Sequence, residues 1–380
     1  MTTLFQRLQD ARLAPRIAVV GDLMIDKHVQ CDVEGISPED DLAWKVRVAE
    51  TSYKPGGAAN VAANVRELGA DTHVFGAVGR DDGAGLLRYL LRLLSIQYVF
   101  DNSDPGRVTT VKTRYLSRRG RHILRVDREH THMLTNPSFL PELLAAGGRR
   151  WDAVVVSDYA KGVVSRELIE RIEGAGLCFL VDPKRRDILA YGKNARLLTP
   201  NEKELRLMSS AQAEAPIPAV FAELPAAVPG QFIVLTRGEK GAELWRSEDG
   251  RWEFKTRFEV RGRRMGDPAG CGDSLLAALA FAIACGWDID SACRVAVAAG
   301  ACAFDRVGVC SVSRSALLRE LGTFNYEEGA NENRAKDWNC VLSARPVDAG
   351  GLSKERDGAG LRSAVDTSRR SGYGDGPAGK

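Results

Sequence analysis

The stretch Gly266-Asp267-Pro268-Ala269-Gly270-Cys271-Gly272-Asp273-Ser274 runs directly into Leu275-Leu276-Ala277-Ala278-Leu279-Ala280-Phe281. Two glycines spaced by one residue, then an aspartate, open an apolar helix. Glycine at a helix start lets the free N–H groups of the first turn approach an anion closely, and the helix dipole adds to the attraction. A carboxylate beside an anion hole opposes simple phosphate binding but suits phosphoryl transfer. Asp273 would take the proton from an attacking hydroxyl while the N–H groups of Gly270, Cys271 and Gly272 stabilise the moving phosphoryl group. The same residues also read as a glycine turn followed by a helix that uses Asp as its N-cap.

Such a loop needs a scaffold, and the chain supplies repeated strand–turn–helix units. Arg16–Asp22 reads as a buried parallel strand ending in a glycine and a carboxylate, with Asp26 four residues on. Both carboxylates sit where open α/β sheets bind ligands. Pro55–Asn64 is a glycine turn opening a helix that carries Asn60 and Asn64 one turn apart on one face. Close backbone approach and paired amides suit a polyhydroxyl ligand, although tight helix–sheet packing would use the same residues. Further apolar strands stop at Ser157–Gly162, at Asp182-Pro183-Lys184, at Thr199–Glu204 and at Thr236–Gly241. This is how the rim of a site on a parallel sheet looks in sequence. Residues 43–49 and 110–127 instead alternate apolar and polar, with a turn at Gly120. They predict a small inserted β-sheet that could act as a lid excluding water from the reaction.

The chain of 380 residues is 44% hydrophobic and large enough for a substantial core. Lys plus Arg number 53 against 50 Asp plus Glu, so no global charge argues for nucleic acid. The eight cysteines show no CxxC or metal-finger spacing and lie mostly in apolar runs, as reduced core residues do. No apolar run has the length of a membrane span, and the first residues lack a signal-type segment. A cytoplasmic protein without membrane contact is expected. Residues 1–325 read as one domain, and 326–380, polar and without aliphatic periodicity, as a disordered tail.

The order of these motifs resembles the ribokinase-like (PfkB-type) carbohydrate kinases over about residues 14–321. Within them it is similar to the D-glycero-β-D-manno-heptose-7-phosphate kinases of ADP-heptose biosynthesis. Gly21–Asp26, Ile36-Ser37-Pro38-Glu39, Pro55–Ala62, Ser157-Asp158-Tyr159-Ala160-Lys161-Gly162, Asp182–Lys184 and Leu198–Asn201 carry that likeness. The resemblance implies a three-layer Rossmann-like α/β fold with a β-sheet lid, often a homodimer paired through the lid. It implies transfer of the ATP γ-phosphate to the anomeric hydroxyl of a heptose 7-phosphate.

Asp273 would be the base and Gly270, Cys271 and Gly272 its anion hole. Asp26, Gly57, Asn60, Arg125, Asp127, Asp158, Lys161 and Lys184 would serve the sugar phosphate. Asn201, Thr236, Gly238 and Gly241 would serve the nucleotide, with Glu204 acting indirectly on Mg²⁺–ATP. The family's Asp-x-Thr-Gly-Ala-Gly-Asp appears here as Asp267–Asp273 with Ala269 in place of the threonine, Gly35 stands where an arginine is common, and Val297 where asparagine is frequent. A kinase of a different sugar, or a silent sugar- or nucleotide-binding homologue, stays open. A dinucleotide-binding oxidoreductase is disfavoured, because no GxGxxG follows the first strand.

Overall fold

In a computed structural model of the chain, the described residues are 3–324 and 326, apart from 12–13, 146–147, 149, 226–229 and 263–265. A short helix, α1 (Leu4–Asp10), precedes β1 (Arg16–Gly21), whose residues are nearly all buried. The chain then passes into two long strands, β2 (Leu23–Ser37) and β3 (Asp40–Gly57), which lead into α2 (Ala58–Glu67). There follow β4 (Asp71–Ala77), α3 (Asp82–Leu93), β5 (Gln97–Asp101), β6 (Thr110–Ser117) and β7 (His122–Arg128). Next come α4 (Leu140–Ala145), β8 (Ala153–Ser157), α5 (Arg166–Gly174), β9 (Phe179–Asp182), β10 (Leu197–Leu198) and α6 (Glu202–Met208). The remainder comprises α7 (Ile217–Ala222), β11 (Phe232–Thr236), β12 (Ala242–Glu248), β13 (Arg251–Phe258), α8 (Cys271–Ala284), α9 (Ile289–Phe304) and α10 (Arg314–Thr323).

Nine strands form the main sheet in the order β13-β12-β11-β10-β9-β8-β1-β4-β5. From β5 to β11 all pairings are parallel, and the β11–β12–β13 edge is antiparallel. The alternation within β1 shows why there are three layers. Ile17 and Val19 pack into a core shared with α1, α2, α3, α8, α9 and α10, while Ala18 and Val20 face α4, α5, α6 and α7. Helix α8 is apolar all round and buried from Asp273 to Ile283, as a helix enclosed by its neighbours must be. Its alanines let α9 and α2 approach closely.

The inserted sheet is larger than alternation alone suggested. Four strands pair in the order β3-β2-β6-β7, and β2 and β3 extend the expected 43–49 segment into a long twisted hairpin turning at Pro38-Glu39. Asp26 therefore lies within a strand, not in a loop after β1. Pro55–Gly57 likewise close β3 rather than forming a free turn. The mixed sequence of β2, including Gln30, Asp32, Glu34 and Gly35, masks its period.

Of the polar segment 326–380, all but Tyr326 lies outside the described residues. Tyr326 is buried: its hydroxyl donates to Glu320 Oε1 at 2.7 Å, and its carbonyl accepts from Arg294 Nη1 at 2.9 Å.

Candidate active site

Gly270 is the N-cap of α8 and adopts φ 80°, a conformation that suits glycine. A Cβ at this position would lie 3.2 Å from Asn60 Nδ2. At Gly272 a Cβ would meet nothing within 4 Å, so the first turn stays open to an approaching group. Among the described residues, the N–H groups of Gly272 and Asp273 have no acceptor, the usual condition of a first helical turn and the basis of anion binding there.

Asp273 is not a cap. Its carboxylate turns away from its own helix, with Oδ2 accepting from Asn60 Nδ2 at 2.6 Å and Oδ1 from the Tyr159 hydroxyl at 2.7 Å. Burial pushes its pKa from 3.8 up to about 6, partly opposed by those two hydrogen bonds; Asp26 raises it further and Lys112 lowers it. A carboxylate of this kind is ionised near neutrality and ready to accept a proton.

Asn60 reaches Asp273 because α2 packs on α8, and a polar ladder fixes it. Asn64 Nδ2 donates to Asn60 O at 2.9 Å, while Asn64 Oδ1 accepts from Ser274 Oγ and from Val312 N, each at 2.9 Å. The two amides predicted to share a face thus serve different partners. Gly57, at φ 55°, starts α2; a Cβ there would fall 2.6 Å from Asp22 O.

Asp22 is fully engaged in the scaffold. Its Oδ2 accepts from Tyr159 N at 2.7 Å and Lys161 N at 2.9 Å, and its Oδ1 from Val163 N at 3.0 Å. Burial first, then the Asp158 charge, raises its pKa, and these N–H bonds oppose the rise. Asp158 too is committed within the fold: Oδ2 accepts from Arg185 Nε at 2.9 Å and the Tyr191 hydroxyl at 2.8 Å, and Oδ1 from Ala160 N at 2.7 Å. Its carboxylate thus holds the loop and does not face Asp273.

One face of the small sheet looks onto the α8 terminus. Strand register places Asp26 between Lys54 and Lys112, Lys112 beside Asp127, and Arg114 beside His28 and Arg125. Alternation puts Arg125 and Asp127 on one face as expected, and there they form a two-pronged pair at 2.8 and 2.7 Å. Arg114 pairs with Asp26. Lys112 Nζ lies 4.8 Å from the centre of the Tyr159 ring, and burial lowers its pKa. Four cations face two carboxylates in this cluster, leaving a positive surplus above Asp273.

Lys161, Lys184 and the residues expected on the nucleotide side have partners of their own. Lys161 Nζ pairs with Glu129 Oε1 at 2.8 Å. Lys184 Nζ meets Glu204 Oε1 at 2.7 Å, so two residues expected at opposite ends of the reaction touch. Glu204 Oε2 accepts from Asn201 N at 2.9 Å, and Asn201 Oδ1 from Glu204 N at 2.9 Å, a reciprocal cap that starts α6. Thr236 bridges to Asn201 at the end of β11; Gly238 and Gly241 shape the next turn with φ 58° and 82°. Cys271 donates weakly to Asp267 O at 3.6 Å, and burial holds its thiol protonated with a pKa of about 12.

Sequence reasoning missed Tyr159, Lys112 and Arg114 as site residues. Lys112 and Arg114 sit two apart on a recognised strand, the one signal that could have placed them on the same face as Asp127. For Tyr159 the signal lay in its place within Ser157–Gly162, but the hydroxyl's direction depends on the fold.

The model of the pfkB family carbohydrate kinases matches residues 14–316. The Bifunctional protein HldE of Azorhizobium caulinodans is 37% identical over 322 residues, covering 83% of this chain and 66% of that protein. The protein of the same name from Granulibacter bethesdensis is 35% identical over 327 residues with the same coverage. The chain thus spans just under two thirds of the length of these relatives. Among solved structures, phosphofructokinase-2 from Escherichia coli in complex with potassium gives a TM-score of 0.67 at 18% identity, covering 82% of this chain and 99% of that one. Ribokinase from Thermotoga maritima gives 0.63 at 20% identity, covering 81% and 99%. The fold is therefore the three-layer ribokinase-like one with its second small sheet, and the chain belongs to the PfkB family of carbohydrate kinases.

Proposed function

We propose that the chain is an ATP-dependent sugar kinase that phosphorylates the anomeric hydroxyl of D-glycero-β-D-manno-heptose 7-phosphate to the 1,7-bisphosphate, a step of ADP-heptose and lipopolysaccharide synthesis. The observation that carries this reading is a buried, proton-accepting Asp273 at an open helix N-terminus, facing a sheet surface with surplus cations. The heptose is favoured by the Ile36–Glu39 and Ser157–Gly162 motifs. A substrate already bearing a phosphate needs cations at its remote end, and Lys54, Lys112, Arg114 and Arg125 supply them.

The acceptor oxygen attacks the γ-phosphorus, a new O–P bond forms, and the bond to the bridging oxygen of ADP breaks. Asp273 takes the acceptor's proton. The first-turn N–H groups of α8 stabilise charge on the transferring oxygens. ATP supplies the phosphoryl group, with Mg²⁺ neutralising its phosphates. Glu204, salt-bridged to Lys184 and sharing a reciprocal cap with Asn201, would act on Mg²⁺–ATP indirectly.

ADP release with Mg²⁺–ATP, measured on D-glycero-D-manno-heptose 7-phosphate, sedoheptulose 7-phosphate, fructose 6-phosphate and ribose, tests the reading. Preferred turnover of the heptose is expected, with kcat/KM falling as pH drops through about 6, where Asp273 takes up its proton. Preference for another sugar would replace the substrate and keep the mechanism. Silence across the panel would leave a binding role.

We propose further that two chains pair through the outer face of the small sheet. Opposite its charged face, Leu42 is 87% exposed and Trp44 63%, flanked by Val33, Ile36, Val48, Leu124 and Val126. An apolar surface of this kind is covered in stable assemblies. Sedimentation should show a dimer that Trp44→Asp dissociates; a monomeric parent would sink this part of the proposal. A cytoplasmic location accords with the free thiols of all seven described cysteines, and no described helix is long and apolar enough to cross a membrane.

A further inference from the structure

We infer that Tyr159 is a positioning residue for the base, its hydroxyl fixing which carboxylate oxygen of Asp273 turns to the acceptor and holding that group ionised. The inference rests on the reading of Asp273 as the base. The two oxygens of Asp273 are held from opposite sides, Oδ2 by Asn60 of α2 and Oδ1 by Tyr159 of the loop after β8. A carboxylate held at both oxygens cannot rotate, and the lone pairs left over point in fixed directions.

The Tyr159 loop is itself rigid. Three of its N–H groups, at Tyr159, Lys161 and Val163, converge on Asp22. Ala160 is held at φ 56°, a conformation an alanine adopts only when its surroundings impose it, and its N–H is bound by Asp158. Burial and the Asp273 charge keep the phenol protonated, so it donates. The Lys112 ammonium over its ring draws electron density from the oxygen and strengthens that donation.

The charged and titratable groups around Asp273 come from several elements. Asp26 of β2, Lys112 of β6 and Asp182 of β9 act through space, and Cys271 shares the helix turn. Among the described residues, Tyr159 is the one titratable group that donates a hydrogen bond directly to the carboxylate. Its loss should leave Asp273 more basic.

The test follows the ¹³C carboxyl resonance of Asp273, assigned by its disappearance in Asp273→Asn, through a pH titration of the full chain. The midpoint near 6 should rise by about one unit in Tyr159→Phe. It should fall when 3-fluorotyrosine, a stronger donor of nearly the same shape, occupies position 159. On the sugar that the wild type turns over, Tyr159→Phe should lower kcat/KM at every pH, about fivefold more at pH 6 than at pH 8, leaving the KM for ATP unchanged. A moved midpoint supports the inference whether or not any sugar of the panel reacts. An unmoved midpoint in both variants overturns it, while the kinase reading stands or falls by the panel alone.

Discussion

Asp273→Asn is expected to lower kcat by about 10²- to 10⁴-fold, the usual contribution of a positioned general base, yet to raise the melting temperature at pH 7.5. The two effects share one cause. Burial lifts the pKa of Asp273 from 3.8 to about 6 in the fold. At pH 7.5 the folded chain therefore bears a buried carboxylate that the unfolded chain would carry in water. A group whose folded pKa is raised favours the fold fully below its unfolded pKa, and that advantage is lost as pH rises through the folded value. Two units correspond to about 3 kcal/mol as an upper bound, from which the hydrogen bonds of Asn60 and Tyr159 to an asparagine subtract little. The stability difference between variant and parent should be small at pH 4, grow between about 4 and 6, and level off above. Paired thermal melts across that range check it, and a variant that melts lower at pH 7.5 would contradict the account. The site thus stores destabilisation where it needs reactivity.

The second large effect falls on Asp22, which touches no substrate in the proposed reaction. Asp22→Asn replaces one acceptor oxygen by an NH₂ group facing backbone donors. Tyr159 N, Lys161 N and Val163 N cannot then all find an acceptor. A buried donor left without a partner costs about 1–3 kcal/mol, so a loss of about 2–4 kcal/mol is expected, read as a lower urea midpoint. Activity should fall with it even at temperatures where the variant is folded, because the loop that aims the Tyr159 hydroxyl loosens. An unchanged midpoint would mean that the loop holds itself. The charge at Asp22 is disfavoured by burial and by Asp158 and favoured by these three N–H groups, so the clamp and the charge sustain each other.

Much of this was legible in the residues. Gly270 to Asp273 suggested an anion site with a base, a plain N-cap being the competing reading, and the contacts of the Asp273 carboxylate with Asn60 and Tyr159 set that cap reading aside. The strand–turn–helix rhythm gave the main sheet, since buried parallel strands read as continuous apolar runs. The hairpin β2–β3 was only partly visible. Its residues alternate around bulges near Cys31, Gly35 and Ser37, and each irregularity resets the period of two. Pairings between distant residues were beyond local pattern altogether. That Lys184 would meet Glu204, or that Asp22 rather than Asp26 would clamp the Ser157–Gly162 loop, depends on which strand ends lie side by side. The Asn60–Asp273 contact joins residues more than two hundred positions apart, and only the packing of α2 on α8 creates it.

The passage from main sheet to small sheet occurs at one knot. Asp22 N donates to Ser157 O at 3.1 Å, and Asp22 O accepts from Ala58 N at 3.0 Å, so the outgoing strand β2 and the returning strand β3 are tied together where they leave and rejoin the body. A rotation of the small sheet about that knot moves its far tip, around Pro38, through the widest arc and barely displaces Asn60 or Tyr159. Substitutions in the outer halves of β2 and β3 would then reshape the rim of the site while leaving the contacts of Asp273 with Asn60 and Tyr159 in place.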